Sequence, residues 1–260
     1  MQIRPASNNQ LKLWRKLQQT KYRKKEGLFL AEGERCVEQI VENGFLKVES
    51  IILEKGYRAG FEFEGAVFEV EPSEFENLSD TDTPQGILAV CEVPDESDDL
   101  HQKQSGLIVA FDAVQDPGNV GTIIRTAAWF GAAGLLMGHG TADPLHPKVV
   151  RSTAGATGAL DYVKGDIAEL IAEFENKDWR VYLMDGGESS IDIKTADPAE
   201  KSILVIGNEG NGISAGLFAD HRTAVRIPGD QTTVESLNAG IATGIGLYEF
   251  TKSTLRGETT

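Results

Sequence analysis

Residues 116–138 read DPGNVGTIIRTAAWFGAAGLLMG, and this stretch decides the fold. Two glycines, Gly118 and Gly121, bracket Asn119 where a helix begins, and the apolar run that follows keeps one charge, Arg125. Glycine at such a place lets something approach the backbone closely. On one side lies GLIVAFDAV (106–114), an unbroken apolar strand of the kind buried on both faces of a parallel sheet. On the other, GLLMG (134–138) has the same character. RVYLMDG, SILVIGNEG and the shorter TAVRIPG repeat it, with helical patterns between them such as 167–177. The expected architecture is an α/β domain with a mostly parallel sheet. Ligands in such sheets sit beyond the carboxyl ends of the strands.

Working outward, the polar and acidic EVPDESDDLHQKQSG (92–106) reads as an exposed linker. Only 7 of the 28 glycines precede residue 101, so the two halves place different demands on the backbone. The first half alternates short segments. LKLWRKLQQTKYRKKE spaces Leu13, Trp14 and Leu17 as a helix does, and ERCVEQIVENG sets Val37, Ile40 and Val41 on one helical face before Gly44. GLFLAEG, VESIILE, AVFEVE and QGILAVCEV read as strands, and PSEFENLSD as a short helix. The expected domains are 1–94, a linker over 95–105, and 106–257.

Net charge is −15, which argues at first against a polyanionic partner. The distribution reverses that: residues 1–30 hold eight basic groups and a single acid, Glu26. A basic end on an acidic body can meet a polyanion locally while the remainder resists indiscriminate binding; the alternative is a solvated helix face. Arg23, Lys24 and Lys25 are the candidate phosphate contacts. Cys36 and Cys91 lack paired spacing, so neither a disulfide framework nor a metal site is expected. No apolar h-region opens the sequence and no run is long enough for a membrane span, so a reducing, cytoplasmic home is expected.

Three glycine-rich segments follow strand ends: DPGNVGTIIR (116–125), GNEGNGIS (207–214) and IPGDQTTVESLN (227–238). Together they suggest one pocket built largely from backbone. There is no GxxxxGK[ST], and GNEGNG reverses the spacing of GxGxxG, so the standard phosphate cradles are disfavoured. The last helix, within ESLNAGIATGIGLYEF (235–250), is expected to be capped by Ser236 with Asn238 in its first turn. Its interior glycines each cost about 1 kcal/mol relative to alanine, which close approach of another backbone would offset.

DPGNVGTIIRTAAWFGA, VIGNEGNGIS and VRIPGDQTTVESLNAGIATGIGLYE, in this order and separation, resemble the three motifs of the SpoU (TrmH-like) RNA ribose 2′-O-methyltransferases of the SPOUT superfamily. The similarity spans about residues 106–252. It implies a parallel sheet whose C-terminal segment is threaded into a deep trefoil knot. The first half resembles the small L30e-like substrate-binding domain that precedes this fold in many members. The implied cofactor is S-adenosylmethionine, with Gly207, Ile227 and Leu237 lining the adenosine pocket. Asn119, Arg125, Glu209, Ser236 and Asn238 fall on the polar active-site positions. PKVVRSTAGATG (147–158) resembles a further family segment, so Lys148 and Arg151 join the candidate RNA contacts. The implied substrate is structured RNA, ribosomal rather than transfer RNA. The implied assembly is a homodimer through the C-terminal domain, which would also account for the small residues of the last helix. The alternatives are a tRNA methyltransferase and a non-catalytic knotted RNA-binding protein. A guanidinium does not lose its proton in proteins, so Arg125 as base competes with Arg125 as an orienting group. In the latter case the proton goes to a phosphate, a water or Glu209.

Overall fold

The structure is a computed structural model that describes residues 3–94, 99–187, 189–230 and 232–257. Part of the expected linker therefore lies outside the described residues. The chain forms two compact units, Met1–Asp95 with Asp143–Ala159, and Glu96–Ala142 with Leu160–Thr260.

The first unit carries β1 (Ile3–Pro5), α1 (Asn8–Lys16), α2 (Thr20–Glu26), β2 (Leu28–Glu32), α3 (Glu34–Asn43), β3 (Val48–Glu54), β4 (Ala66–Val70), α4 (Pro72–Glu76) and β5 (Ile87–Glu92). Its five-stranded mixed sheet has the order β1-β4-β3-β5-β2. Apolar side chains alternate to both faces, as period-two strands require. Phe29, Ala31, Ile51 and Ala89 pack with α3, while Leu30, Ile52, Leu88 and Val90 pack with Trp14, Leu17 and Phe75. The basic segment read as one helix breaks in two, since Leu17–Gln19 leave the helical path and Ser7 caps α1 with a reciprocal Gln10 box.

The second unit carries α5 (Asp99–Gln102), β6 (Gly106–Phe111), α6 (Pro117–Trp129) and β7 (Gly134–Gly138). Helix α7 (Pro147–Ser152) follows in the chain but packs with β2 of the first unit, inside the excursion Asp143–Ala159. The second unit resumes with β8 (Tyr162–Gly165), α8 (Ile167–Glu175), β9 (Arg180–Met184), β10 (Ile191–Asp192), β11 (Lys201–Ile206), β12 (Thr223–Arg226) and α9 (Ala239–Gly257). All seven strands are parallel, in the order β10-β12-β9-β11-β6-β7-β8. The central strands β6, β7 and β11 are buried almost throughout, as their unbroken apolar sequences require. From β6 the chain steps outward through β7 and β8, then returns to the other side at β9 and β11. The order reverses between β6 and β11, which makes the carboxyl ends of these strands the place for a ligand.

The small residues of α9 are used within the chain. A Cβ at Gly240 would lie 3.1 Å from Thr122 Cγ2, one at Gly244 3.7 Å from Thr126 Cγ2, and one at Gly246 3.0 Å from Leu204 Cδ2. Gly240 therefore lets α9 settle on the Thr122 side of α6 and Gly246 lets it settle on the sheet, while a Cβ at Gly244 would make only an ordinary contact. These three glycines thus meet groups of their own chain.

Candidate functional site

Three loops meet at the reversal point. Asp116 caps α6, its Oδ1 accepting from the Asn119 amide at 2.8 Å, and Pro117 occupies the first turn, where no amide is needed. Gly118 is required by this cap, since a Cβ there would lie 2.8 Å from Asp116 Oδ1. Glu209, on the loop after β11, reaches across. Its Oε1 accepts from Asn119 Nδ2 at 3.0 Å and Asp116 N at 3.2 Å, and its Oε2 accepts from Gln115 N at 3.1 Å.

Asn119 Oδ1 in turn accepts from Asn238 Nδ2 at 2.8 Å. The Asn238 Oδ1 accepts from the amides of Gly240 and Ile241 at 2.9 and 3.2 Å. Asn238, not Ser236, therefore caps α9; the helix begins at Ala239, one residue beyond it. Glu209, Asn119 and Asn238 form one bonded chain that fixes the β11 loop, the start of α6 and the start of α9 together. Burial pushes the Glu209 carboxyl up, but the hydrogen bonds from Asn119 and the loop amides prevail and hold it below the usual glutamate range.

Beside this chain lies a cleft of about 970 Å³ bounded by the ends of β9, β11 and β12 and by residues 232–239. Gly207, Ile227, Ser236 and Leu237 line it, with Met184, Asp185, Gly186, Gly187 and Arg226. Gly207 has no room for a side chain, because a Cβ would fall 2.5 Å from both Gly212 O and Ile213 N. Its role is to let the loop fold back on itself, where Asn208 and Gly212 exchange backbone hydrogen bonds of 2.9 Å. Glycines and apolar Ile206, Val225, Ile227 and Leu237 form one part of the walls and polar groups, among them Asp185, Glu209 and Arg226, the other, which suits a flat heteroaromatic ligand that also carries polar groups. Among the described residues no cluster of acidic, His or Cys side chains is arranged to hold a metal.

Arg125 does not join the bonded chain. It is exposed and makes no hydrogen bond or ion pair among the described residues. Six residues beyond Asn119, it is turned about 120° away around the helix, onto the face of Trp129, which is 84% exposed. Ser236 is exposed at the cleft and likewise unbonded among the described residues.

The sequence reading missed three braces. Buried Asp112, at the end of β6, accepts from Ser214 N at 2.6 Å and Ser214 Oγ at 3.0 Å. Asn208 donates to Ala113 O at 2.8 Å and accepts from the amides of Gly210 and Asn211 at 3.0 Å. Asp185 accepts from Gly187 N at 2.9 Å and Ser190 Oγ at 3.2 Å. The available signal was an Asx residue just after a strand, a frequent loop-capping arrangement.

The basic face of the first unit needs a correction. Arg23 is 2% exposed, and its guanidinium is spent on Leu17 O, Gln18 O, Thr20 Oγ1 and Asp143 Oδ2, the last at 2.6 Å. It holds the α1–α2 break and the start of the Asp143–Ala159 excursion, so it is not available to RNA. Arg151 is partly committed in the same way, to Glu32 at 3.4 Å and Asp80 at 3.5 Å. Lys24, Lys25 and Lys148 are exposed. Lys16 and Lys21 bring their ammonium groups to 5.4 and 5.2 Å from the centre of the Tyr22 ring, so two cations and an aromatic ring lie together.

Residues 106–248 match the SpoU rRNA Methylase family, and residues 8–89 match the MRM3-like substrate binding domain. The chain is 33% identical over 252 residues to the 23S rRNA (guanosine(2553)-2′-O)-methyltransferase RlmP of Bacillus subtilis, covering 95% of this chain and 98% of that one. A solved AdoMet-bound rRNA methyltransferase from Sinorhizobium meliloti superposes with a TM-score of 0.81 at 30% identity, covering 97% of this chain and 98% of that one. The SpoU methyltransferase AviRb from Streptomyces viridochromogenes gives 0.81 at 27% identity, with 96% and 99% covered.

Proposed function

This chain belongs to the SpoU rRNA methylase family, and from that membership we propose that it transfers a methyl group from S-adenosylmethionine to a ribose 2′-hydroxyl of ribosomal RNA. The observation that carries the reading is the bonded Glu209–Asn119–Asn238 chain at the mouth of a backbone-lined cleft. The cleft fits the cofactor, with apolar Ile206, Val225, Ile227 and Leu237 for the adenine and glycines where the backbone must come close. When bound there, S-adenosylmethionine supplies a methyl group activated on a sulfonium sulfur.

The chain's own residues position and polarise. Asn119 and Asn238 each spend one side-chain N–H on the bonded chain and keep another, a donor for the acceptor ribose. Glu209 is a positioning group, since both oxygens already accept hydrogen bonds and its carboxyl is held in the ionised form. The hydroxyl proton then leaves to water or to an RNA phosphate. Orientation for in-line attack supplies much of the acceleration.

The same reading includes a homodimer, supported by an apolar surface on α6 and α9. Trp129, Ile241 and Tyr248 are 84%, 57% and 54% exposed. Arg125 shares the Trp129 face, so in such a dimer it serves the partner's cleft, where it holds the ribose or its phosphate. The trefoil knot belongs to this proposal too. It is supported by the path of the chain, which runs out to β12 beyond β9 and returns to pack α9 on α6. No helix among the described residues is long and apolar enough to cross a membrane, and a cytoplasmic place follows from the ribosomal substrate.

Mapping 2′-O-methyl sites in total RNA with and without this gene tests the activity. Loss of one ribosomal site is expected. Loss of a transfer RNA site instead, or of none, overturns the substrate or the activity respectively.

RNA docking is proposed for the exposed cations of α1 and α2 together with Lys148. Neutralising Lys16, Lys21 and Lys24 together should flatten the log–log salt dependence of RNA affinity by about two units, at roughly 0.7 per phosphate contact on single strands. Equal slopes for both proteins across a salt series would return this face to plain solvation.

A further inference from the structure

We propose that Asp185 is the residue that reads the ribose of the cofactor, its carboxylate accepting from the 2′,3′-diol. This inference rests on the proposed S-adenosylmethionine site and goes beyond it by assigning a polar contact that the sequence motifs do not contain. Asp185 follows β9 directly and lines the cleft. Its Oδ2 is fixed by the Gly187 amide and the Ser190 hydroxyl, at 2.9 and 3.2 Å. Gly187 is needed for this arrangement, because a Cβ there would lie 2.7 Å from Asp185 Oδ2. The carboxylate is thus held in place by its own loop, while Oδ1 has no partner among the described residues.

Position in the sheet decides which part of the ligand meets it. The transferred methyl must reach the bonded Asn119–Glu209 pair, which stands beyond β6 and β11. Strand β9 is the neighbour of β11 on the other side, about 4.8 Å away in a sheet. That lateral step matches the span from the sulfonium sulfur through C5′ and C4′ to the ribose hydroxyls. The adenine then extends past β9 toward Val225, Ile227 and Leu237, the apolar part of the cleft.

The local charge favours a neutral donor over the cofactor's ammonium group. Arg226 follows Val225, which stands in register with Met184, so it lies beside Asp185 at the same end of the sheet. It forms no ion pair with Asp185 or with any other described residue. A neighbouring guanidinium disfavours a second cation at this carboxylate, whereas two hydroxyls bring donors without charge. Hydrogen bonds to an ionised acceptor are the stronger kind.

The test is calorimetric and does not depend on turnover. Asp185→Asn keeps an oxygen for Gly187 and Ser190 but presents an amide donor where the diol needs an acceptor. S-adenosylhomocysteine and 5′-methylthioadenosine are titrated into both proteins. The second ligand keeps the diol and lacks the amino-acid end. The variant should lose about ten- to hundredfold in affinity for both ligands by the same factor, with an unchanged thermal midpoint. A loss confined to S-adenosylhomocysteine would show that Asp185 reads the ammonium group instead, and equal affinities of variant and parent would remove it from the site. Failure of the parent protein to bind either ligand would count against the proposed activity itself rather than against Asp185.

Discussion

Replacing Arg125 with alanine is expected to lower methyl transfer by at least about a hundredfold, the effect of removing one group that stabilises a transition state. S-adenosylmethionine affinity should change little, because Arg125 does not line the cleft of its own chain. It stands on the Trp129 face of α6, exposed and without a partner among the described residues, so its removal leaves no buried group there unpaired and the fold should be unaffected. Arg125→Lys sharpens the reading. Lysine keeps the charge but loses the planar pair of donors that grips a phosphate or ribose in two places, and rescue by lysine would point to a simple point charge. Near-normal turnover in the alanine variant would remove Arg125 from the reaction.

The second large effect is expected at Gly207. A valine there drives its Cβ to within 2.5 Å of Gly212 O and Ile213 N, and backbone at both contacts cannot swing aside as a flexible side chain would. The loop carrying Glu209 must shift, which opens the cleft and separates Glu209 from Asn119. Overpacking of this kind costs about 1–3 kcal/mol, so cofactor affinity should fall about ten- to hundredfold, with RNA binding by the first unit retained. Unchanged cofactor affinity would place the pocket elsewhere.

The two variants together test the dimer. If Arg125 acts in the partner's cleft, mixing Arg125→Ala protein with Gly207→Val protein creates one competent site. The intact cleft of the first chain then receives the intact arginine of the second. Activity should reappear on mixing and subunit exchange. Two inactive proteins that stay inactive together would mean that each chain uses its own Arg125, or that no dimer forms.

The sequence alone determined the architecture of the second unit. Strands such as GLIVAF (106–111) and ILVI (203–206) are apolar without a polar interruption, and a sheet covered on both faces buries them. It also marked the three loops, because glycines after strand ends record where the backbone must come close or turn sharply. The motif order carried the family and, through it, the cofactor.

What the sequence left open depended on contacts between residues far apart in the chain. Arg23 reads as one more cation in a basic run, yet it is buried, because Asp143, 120 positions away, and the carbonyls of Leu17 and Gln18 receive its guanidinium. Asp143–Ala159 lies within the second half of the chain but packs on the first unit, held by that ion pair and by Arg151 with Glu32 and Asp80. Ser236 and Asn238 are equally good caps by residue type. Asn238 takes the role because only its amide also reaches Asn119. Composition and periodicity register what each residue must bury. Which of several equivalent polar groups is bonded, and which is left free to act, was decided by the tertiary structure, since hydrogen bonds and ion pairs require partners within a few ångströms that sequence distance does not encode.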